Sequence, residues 1–452
     1  MTGPSKKSHA AVRAWPAVVV PSLMLLVAAV VSVALACKGS DWALATVKSY
    51  GVGALAGLAL LSAAACSRMF GRPALLALHL GFALALGGWV VNEVAGGEEG
   101  FLQLGPGQAG DVAGLDQLTL QDFTIDRWED TGTVRQYTST ARNGKGEEVK
   151  ISVNHPLVVR PWWVYQSSYQ EMANPRTGEV AKDPRTGEPL YFTVLQCVKD
   201  VGLPLAAFGG ALLLLGAVIY AVALLMRAGP SGEPGRSGDE KVWWLYARTA
   251  LAVVEFLVAL AIFVHRAQTT GHPPMQNMYE FLICTAVLLP VLTLVSAWCD
   301  RQNTLIVDSA LFALVLGALY FMDGSVKHLM PALQSPFFVP HVGAYVAGYV
   351  LLVRAAFGAG RRLVGLGFCF ITVGLVLGAA WGKVCWGHWW QFDPKEMWSL
   401  ATWLLYAAYF HLRPRLPRWA DRMFLAAGAV MVVATLTWVN LSRVFSGMHS
   451  YG

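Results

Sequence analysis

The residues most able to do chemistry lie in a tryptophan-rich segment at 381–398, which reads WGKVCWGHWWQFDPKEMW and is predicted to be one loop between two spans. Indole rings present large flat faces that combine apolar area with a polar N–H group. Such a segment predicts a ligand that is flat, apolar and only partly wettable, and a porphyrin has these properties. The alternative is an aromatic belt, since tryptophan is enriched where spans meet the membrane surface. A belt accounts for scattered tryptophans but not for their concentration beside the charged turn DPKE.

Four histidines stand where the iron of a porphyrin could use them. His341 follows PALQSPFFVP at the mouth of a predicted span, and His449 lies in SGMHSYG. His79 and His411 lie within the apolar stretches ALLALHLGFAL and YAAYFHLR. Imidazoles are standard axial ligands of haem iron, and an ionisable residue in lipid is a functional hypothesis by default. The pattern predicts an outer pair (His341, His449) and an inner pair (His79, His411), although an inner histidine that only hydrogen-bonds a neighbouring helix is the alternative.

The elements that must position these residues are membrane helices. Hydrophobic residues make up 55% of the 452-residue chain and charged residues 14%. Apolar runs of about 20 residues recur, and each is long enough to cross a hydrocarbon core of ~30 Å. The sequence therefore predicts an all-α polytopic membrane protein with about eleven transmembrane helices and a small extracytoplasmic β domain. The predicted spans are 16–36, 48–66, 73–94, 201–226, 243–264, 279–298, 304–322, 341–359, 363–381, 397–413 and 422–440.

Basic residues in short loops fix the predicted orientation. Lys6, Lys7 and Arg13 precede the first span and place the N-terminus in the cytoplasm. Alternation of the spans then puts five further basic loops on the same side, as the positive-inside rule requires. The net charge of +6 therefore serves topology and does not indicate a nucleic-acid partner. The segments predicted to lie outside are 95–200, 265–278, 323–340, the tryptophan-rich segment and the tail 441–452.

The one sizeable polar segment, 95–200, is predicted to form β structure. LTLQDFTI alternates with period two, Asn143-Gly144 is a hairpin signal, and KISVNHPLVV and WWVYQSSY are rich in strand-forming residues. This length suits a small sandwich-like or open-sheet domain that rests on the membrane. A Gly/Pro/Ser-rich linker at 229–242 marks the clearest boundary between two parts of the chain.

The seven cysteines form no CxxC pair. The sequence therefore indicates neither a thiol oxidoreductase nor a zinc protein. Cys385, beside the tryptophans, is either a reactive thiol or a small apolar filler at the end of a span.

Several motifs together resemble a known family. WGHWWQFDPKEMWSLATWLLYAAYFHLR is similar to the WWD haem-binding signature of the cytochrome c biogenesis family CcsA. GHPPMQNMYEFL, PALQSPFFVPHV and SGMHSYG are similar to further motifs of that family, in the family order. Residues 16–226 resemble, more weakly, the partner family CcsB, also called ResB, through the histidine of the third span and through LQDFTIDRW, KISVNHPL and VYQSSY. The whole chain is thus similar to the fused System II cytochrome c synthases, CcsBA.

The resemblance implies three parts and an activity. A CcsB-like part with four spans would occupy 1–228, a cytoplasmic linker 229–242, and a CcsA-like part with seven spans 243–452. The activity would be that of a holocytochrome c synthase in the bacterial cytoplasmic membrane, with the WWD segment and the C-terminus outside. It would export haem b and attach it through thioether bonds to the CXXCH cysteines of apocytochrome c.

Positioning is expected to supply most of the catalysis. Holding a thiol against a vinyl group can contribute about 7–11 kcal/mol, so no residue is assigned a catalytic role beyond positioning haem. A thioredoxin-like thiol reductant is a further implied partner, alongside the lipid bilayer, and no nucleic acid is expected. Two alternatives remain open: a haem exporter or chaperone that delivers haem without attaching it, and a solute transporter with an aromatic gate.

The resemblance also assigns roles to single residues. His341 and His449 match the external axial ligands, and His79 and His411 match the transmembrane pair. Lys395 is expected to pair with a haem propionate. The residues expected around the macrocycle and at its rim are Trp386, Trp389, Trp390, Phe392 and Asp393, of which Asp393 is also expected to cap the following helix. The chain departs from the family at Phe392, where tryptophan is usual, and in its shorter β domain, which bears on how an apocytochrome is gripped.

Overall fold

The structure is a computed structural model. The described residues are 53, 56–95, 97–112, 117–173, 176–184, 187–226, 238–300, 305–357 and 361–441. The predicted first span at 16–36, most of the predicted linker at 229–242, and His449 lie outside them. We call residues up to 226 the N-terminal half and residues from 238 onward the C-terminal half.

The apolar stretches of the described residues form α-helices close to the predicted spans. Pro73 begins the helix that carries His79, at a position where its missing N–H group costs no helical hydrogen bond. The helices are α1 Ala56–Cys66, α2 Pro73–Val94, α3 Leu203–Met226, α4 Gly238–Thr270, α5 Met278–Asp300, α6 Leu305–Leu319, α7 Phe338–Ala356, α8 Arg361–Trp386, α9 Pro394–Leu412 and α10 Arg418–Leu441. Short 3-10 helices at Pro331–Leu333 and Arg413–Arg415 precede α7 and α10.

Within the described residues, six helices are long and apolar enough to cross a membrane: α2, α3, α4, α7, α8 and α10. The apolar parts of α1, α5 and α6 are shorter. Large hydrophobic side chains such as Phe208, Leu257 and Val430 are exposed on the outer faces of the helices. Such faces suit hydrocarbon, and a helix satisfies its own backbone hydrogen bonds there. The chain is therefore a multi-pass membrane protein.

The segment between α2 and α3 folds as the predicted β domain. Its strands are β1 Glu98–Leu104, β2 Ala109–Gly110, β3 Leu118–Arg127, β4 Val134–Arg142, β5 Glu148–Ser152, β6 Leu157–Val159, β7 Trp162–Glu171 and β8 Tyr191–Lys199. They form two antiparallel sheets, with strand orders β1-β8-β7-β6 and β2-β3-β4-β5. Inward side chains of both sheets, among them Leu120, Ala141, Val164 and Leu195, share one buried core. The β domain is therefore a sandwich and not an open sheet, the other arrangement that the sequence allowed.

The predicted hairpin at Asn143-Gly144 is confirmed as the connection between β4 and β5. Its turn is longer than a two-residue loop, because the backbone N–H of Asn143 donates to the carbonyl of Glu147. The residue with positive φ is Gly146, not Gly144.

The β domain is fastened to the loop that precedes α7 in the C-terminal half. The side-chain amide of Asn154 donates to the carbonyl oxygens of Pro331 and Gln334, at 2.9 and 3.1 Å. The Nε2 of His328 lies 2.7 Å from a carboxylate oxygen of Asp130. These contacts join residues that are distant in the chain, so they hold the β domain against the C-terminal half.

The tryptophan-rich segment is not a single loop over 381–398, as the sequence analysis predicted. Helix α8 continues through Trp386 and ends at Gly387, whose φ of 84° is the left-handed conformation that glycine commonly adopts after a helix. Helix α9 begins at Pro394, directly after its N-cap Asp393. Residues 381–386 therefore form the last turns of a helix. The connection itself, which we call the Trp loop, is 387–393.

Candidate functional site

The structure brings His79 and His411 together, one from each half of the chain. Their ring centroids lie 6.0 Å apart, and the ring planes stand at 87°. Both side chains are partly buried. One turn further along α2, Phe82 stacks on Trp403 of α9, with centroids 5.2 Å apart. Aromatic side chains of α2 and α9 therefore meet at successive turns, and the two histidines belong to that contact.

The hydrogen bonding of His79 fits a metal ligand. Its Nδ1 lies 2.8 Å from the carbonyl oxygen of Leu75. A carbonyl can only accept, so Nδ1 carries the proton, and in the neutral ring the lone pair is on Nε2. Metal-bound histidines commonly donate their second ring N–H to such a carbonyl.

The spacing of the pair also fits two ligands of one metal. Metal–nitrogen bonds of ~2 Å on opposite sides of one ion put two imidazole centroids about 6 Å apart, as observed for His79 and His411. Among the described residues, no cluster of three or more His, Cys, Asp or Glu side chains could hold a metal ion.

His341 lies near the start of α7, packed against α8. Its Nδ1 donates to the carbonyl oxygen of Gly374, at 2.8 Å, so the lone pair of the neutral ring is again on Nε2. Its ring contacts Tyr345 and Trp381, with centroids at 5.1 and 5.6 Å. A Cβ atom at Gly378 would stand 2.5 Å from Cε1 of His341. Gly378 on α8 therefore leaves space for the imidazole of His341.

The predicted aromatic residues contact different neighbours in the structure. Trp386 lies beside Trp381, at 5.6 Å between centroids, and so belongs with His341. Phe392 lies beside Trp89 of α2, at 5.8 Å. The sequence analysis expected all of these residues around one macrocycle, and the structure has Trp386 and Phe392 in separate aromatic contacts.

A cleft of about 470 Å³ opens between the Trp loop and the β domain. Trp390 and Phe392 line one wall, and Glu98, Glu99 and Lys199, at the ends of β1 and β8 nearest α2 and α3, line the other. His341 is not among the lining residues. Trp389 lines a second, smaller hollow next to the cleft.

His388 is a cleft residue that the sequence analysis did not select. Its Nε2 lies 3.4 Å from Glu99 and 3.2 Å from the side-chain amide of Gln196. The sequence feature that could have identified His388 is its position among four aromatic residues of one segment. Its partners on β1 and β8 could not be read from the sequence, because they lie in the other half of the chain.

The predicted cap of α9 is confirmed. Asp393 accepts from the backbone N–H of Lys395 at 2.8 Å, and a carboxylate oxygen of Glu396 accepts from the backbone N–H groups of Gln391 and Asp393, at 2.8 and 3.2 Å. This reciprocal arrangement is a capping box. The chain turns so tightly here that Phe392 has a φ of 60°.

Phe392 and Lys395 occupy the turn in different ways. A bulky residue in the left-handed region costs about 1–3 kcal/mol, and such costs persist where the surroundings over-determine the conformation. Phe392 is 8% exposed, so packing holds it there. The side chain of Lys395 is partly buried, and no ion pair with its ammonium group is found among the described residues.

A buried ion pair that the sequence analysis missed joins the Trp loop to the N-terminal half. Lys383 of α8 lies 2.8 Å from a carboxylate oxygen of Asp200, which follows β8. The exposures of the two side chains are 3% and 4%. The ammonium group also donates to the carbonyl oxygen of Gly387, the first residue of the Trp loop, at 2.9 Å.

Comparison with known sequences identifies both halves. Residues 53–185 match the ResB-like family, and residues 355–447 match the family described as cytochrome C assembly protein. The first match contains His79 and most of the β domain. The second contains His411, Lys383 and the Trp loop.

Curated relatives give the same assignment for the C-terminal half. The chain is 28% identical to the cytochrome c biogenesis protein CcsA of Chlamydomonas reinhardtii over 243 residues, which cover 45% of this chain and 68% of the relative. It is 28% identical to the protein of the same name from Prochlorococcus marinus strain MIT 9303 over 317 residues, which cover 55% of this chain and 95% of the relative. With ResB-like and cytochrome c assembly regions in one polypeptide, this chain is a fused cytochrome c biogenesis protein of the CcsBA type.

Proposed function

We propose that this protein exports haem across the cytoplasmic membrane and attaches it covalently to the CXXCH cysteines of apocytochrome c. The observation that carries the proposal is the His79–His411 pair. Two imidazoles from different halves stand 6.0 Å apart, and the Nδ1–H of His79 donates to a carbonyl. An imidazole pair in a membrane helix bundle is costly unless it is partnered, and a haem iron would partner both rings.

The proposed topology has eleven spans, with the N-terminus in the cytoplasm and the C-terminus outside. The proposed division is a ResB-like part at 1–228, a cytoplasmic linker at 229–242 and a CcsA-like part at 243–452. In this orientation His79 and His411 lie in the inner halves of their helices. His341, the Trp loop and the β domain lie outside, so haem received at the inner pair would be passed outward.

The proposed outer site uses His341 and His449 as axial ligands. The contact of His341 with Trp381, and the 2.8 Å hydrogen bond from its Nδ1 to Gly374, support this role. Trp386, Trp389, Trp390 and Phe392 would supply apolar faces to the macrocycle. Lys395 would pair with a propionate, and Asp393 would hold the start of α9 in place.

Attachment needs no redox chemistry and no leaving group. Each thiol S–H adds across a vinyl C=C bond, so that one C–S bond and one C–H bond form while the S–H bond and the π bond are lost. The protein's contribution is to hold the vinyl groups against the cysteines, since proximity alone can supply about 7–11 kcal/mol. Ligation of iron on both faces would limit access of oxygen. The histidine of CXXCH would then displace one protein ligand as the product leaves.

The partners of this reaction are haem b, an apocytochrome c and, to keep its cysteines reduced, a thioredoxin-like thiol reductant. An extended CXXCH segment has a route to the Trp loop through the cleft beside β1 and β8. The carboxylate of Glu99 there would favour a basic peptide, whereas Glu98 is already paired with Lys199 at 2.6 Å.

Two measurements test the proposal. The purified protein should show a Soret band, and co-expression with an apocytochrome in cells that lack maturation genes should yield haem that stays bound after denaturing electrophoresis. An acceptor with both CXXCH cysteines changed to serine is the control. Bound haem without covalent product would indicate an exporter or chaperone. Absence of haem from protein of native fold would contradict the proposal.

A further inference from the structure

Lys383 is a cation at the outer end of α8, within a helix that is long and apolar enough to cross the membrane. An ionisable residue there is expensive unless it is paired, and it marks function by default. Its partner, Asp200, lies at the junction where β8 ends and the chain re-enters the membrane as α3. The pair therefore connects the helix before the Trp loop to the point where the β domain rejoins its own helices.

Two aromatic rings of the β domain also lie beside the ammonium group of Lys383. Its ammonium group lies 5.5 Å from the ring centroid of Trp163 and 5.9 Å from that of Tyr165, both on β7. A cation over an aromatic face is attracted by the ring, more strongly when water is excluded. All partners of the side chain except Gly387 thus come from the N-terminal half.

The same ammonium group reaches the first residue of the Trp loop. It donates to the carbonyl oxygen of Gly387 at 2.9 Å, where α8 ends and the chain turns into the left-handed region. A Cβ atom at Gly387 would stand 3.0 Å from both Tyr165 and Val198 of the β domain. The path of the loop is therefore set by one donor on α8 and by the sandwich surface beside it.

We propose that Lys383 is a positioning residue that locks the Trp loop against the ResB-like half, so that the loop takes its ligand-binding shape only on that surface. The two halves are thereby coupled at the outer site, as His79 and His411 couple them at the inner one. The haem readout of this inference rests on the proposed function, but its structural readout does not.

The first test uses the haem-free protein. In Lys383→Met, hydrogen exchange at the amides of 387–393 should accelerate by about tenfold or more, because an uncompensated Asp200 and a free Gly387 carbonyl replace the ion pair and the hydrogen bond of Lys383. The amides of β4, on the far sheet, should keep their exchange rates. Asp200→Asn, which is nearly isosteric and leaves the Lys383–Gly387 hydrogen bond available, should give a smaller change in the same residues.

Two control variants separate this role from a general effect of losing charge. Lys327→Met removes an exposed pair with Asp323, whose N–O distance is 3.7 Å. Glu280→Gln breaks the buried ion pair between Glu280 of α5 and Arg266 of α4, whose N–O distance is 2.9 Å. Neither should alter exchange at 387–393. Unchanged loop exchange in Lys383→Met, or an equal rise in Glu280→Gln, would overturn the inference.

The second test measures haem. The haem-to-protein ratio should fall several-fold in Lys383→Met, with a shifted Soret maximum in the residual complex, and should stay at the wild-type value in Lys327→Met. A wild-type protein without haem would refute the proposed function and leave the exchange result standing. A Lys383→Met protein with a normal haem ratio and normal Soret band would refute the inference and leave the proposed function standing.

Discussion

His79 and His411 meet edge to face with their ring centroids 6.0 Å apart, although α2 and α9 belong to different halves of the chain. Neither half contains this pair by itself. The neighbouring stack of Phe82 on Trp403 fixes the approach of the two helices, and the carbonyl of Leu75 fixes the tautomer of His79. An inner haem site would therefore depend on correct packing of α2 against α9.

Replacing His79 or His411 with alanine should lower the amount of haem that copurifies, because one side of the iron would lose its protein ligand. The fall should be several-fold for each variant, and the double variant should be little worse than either single one, since the two residues act on one ion. The measurement is the ratio of Soret to protein absorbance. His265→Ala, at an exposed position of α4, is the control. Wild-type ratios in both single variants would mean that the two histidines only pack helices.

Gly378→Ala should impair the outer site although it replaces none of the proposed ligands. The added methyl group would stand 2.5 Å from Cε1 of His341, so the imidazole must turn and lose its hydrogen bond to Gly374. Alanine is a better helix former than glycine, so a loss of function would not come from the helix itself. Holocytochrome yield should fall several-fold, and His341→Ala and His449→Ala should abolish it or cut it sharply.

Gly343→Ala is the matched control for this clash, because no atom lies within 4 Å of a Cβ at that position of α7. It should mature cytochrome at the wild-type rate. If Gly378→Ala does the same, the orientation of the His341 ring against α8 does not matter. If His341→Ala does so, the outer site is wrongly assigned.

The parts of the site that could be predicted from the sequence are those set by local pattern. The apolar stretches around His79 and His411, the alternating strands and the Asp393 cap all carry short-range signals. The length of the Trp loop was predicted wrongly, because residues 381–386 can continue a helix equally well and only the left-handed φ of Gly387 ends it.

The contacts that join the halves could not be predicted, for a physical reason. Lys383 and Asp200 are each unremarkable in the sequence, and their pairing follows from how the β sandwich rests on α8. The separate contacts of Trp386 with Trp381 and of Phe392 with Trp89 have the same cause. Local periodicity reports which face of an element is apolar, and it does not report which distant element covers that face.

Cys197 of β8 should resist alkylation at pH 8. Burial raises the pKa of its thiol from 9.0 to about 11, and the side chain is 7% exposed. Two pKa units reduce the thiolate fraction about a hundredfold, and the thiolate is the reactive species. Because the folded pKa lies above the unfolded value, the protonated thiol contributes stability below pH 9, and this is lost as the pH rises towards 11.

Labelling with iodoacetamide in the native and the denatured protein, read by mass spectrometry, checks this expectation. Cys385 is 4% exposed, which fits the filler interpretation and predicts equal resistance. Such protection has a use in the proposed reaction, since a resident thiolate would compete with the apocytochrome for the vinyl groups. Equal labelling rates at Cys197 in folded and denatured protein would refute the argument.

The last prediction concerns Phe392, where the related family usually has tryptophan. Phe392→Trp should leave haem retention unchanged or tighten it, because both side chains bear the same cost at a φ of 60° and an indole adds one N–H donor. Trp389→Ala and Trp390→Ala should each weaken retention, since removal of a large aromatic side chain typically forfeits a few kcal/mol of contact. Phe392→Gly separates the two properties of the position, because it relieves the backbone and removes the ring that faces Trp89. If the ring of Phe392 helps to hold haem, Phe392→Gly should also lower the haem-to-protein ratio. The haem-to-protein ratio across the four variants and the wild type decides between the interpretations, and equal ratios throughout would mean that these side chains form an aromatic belt at the membrane surface.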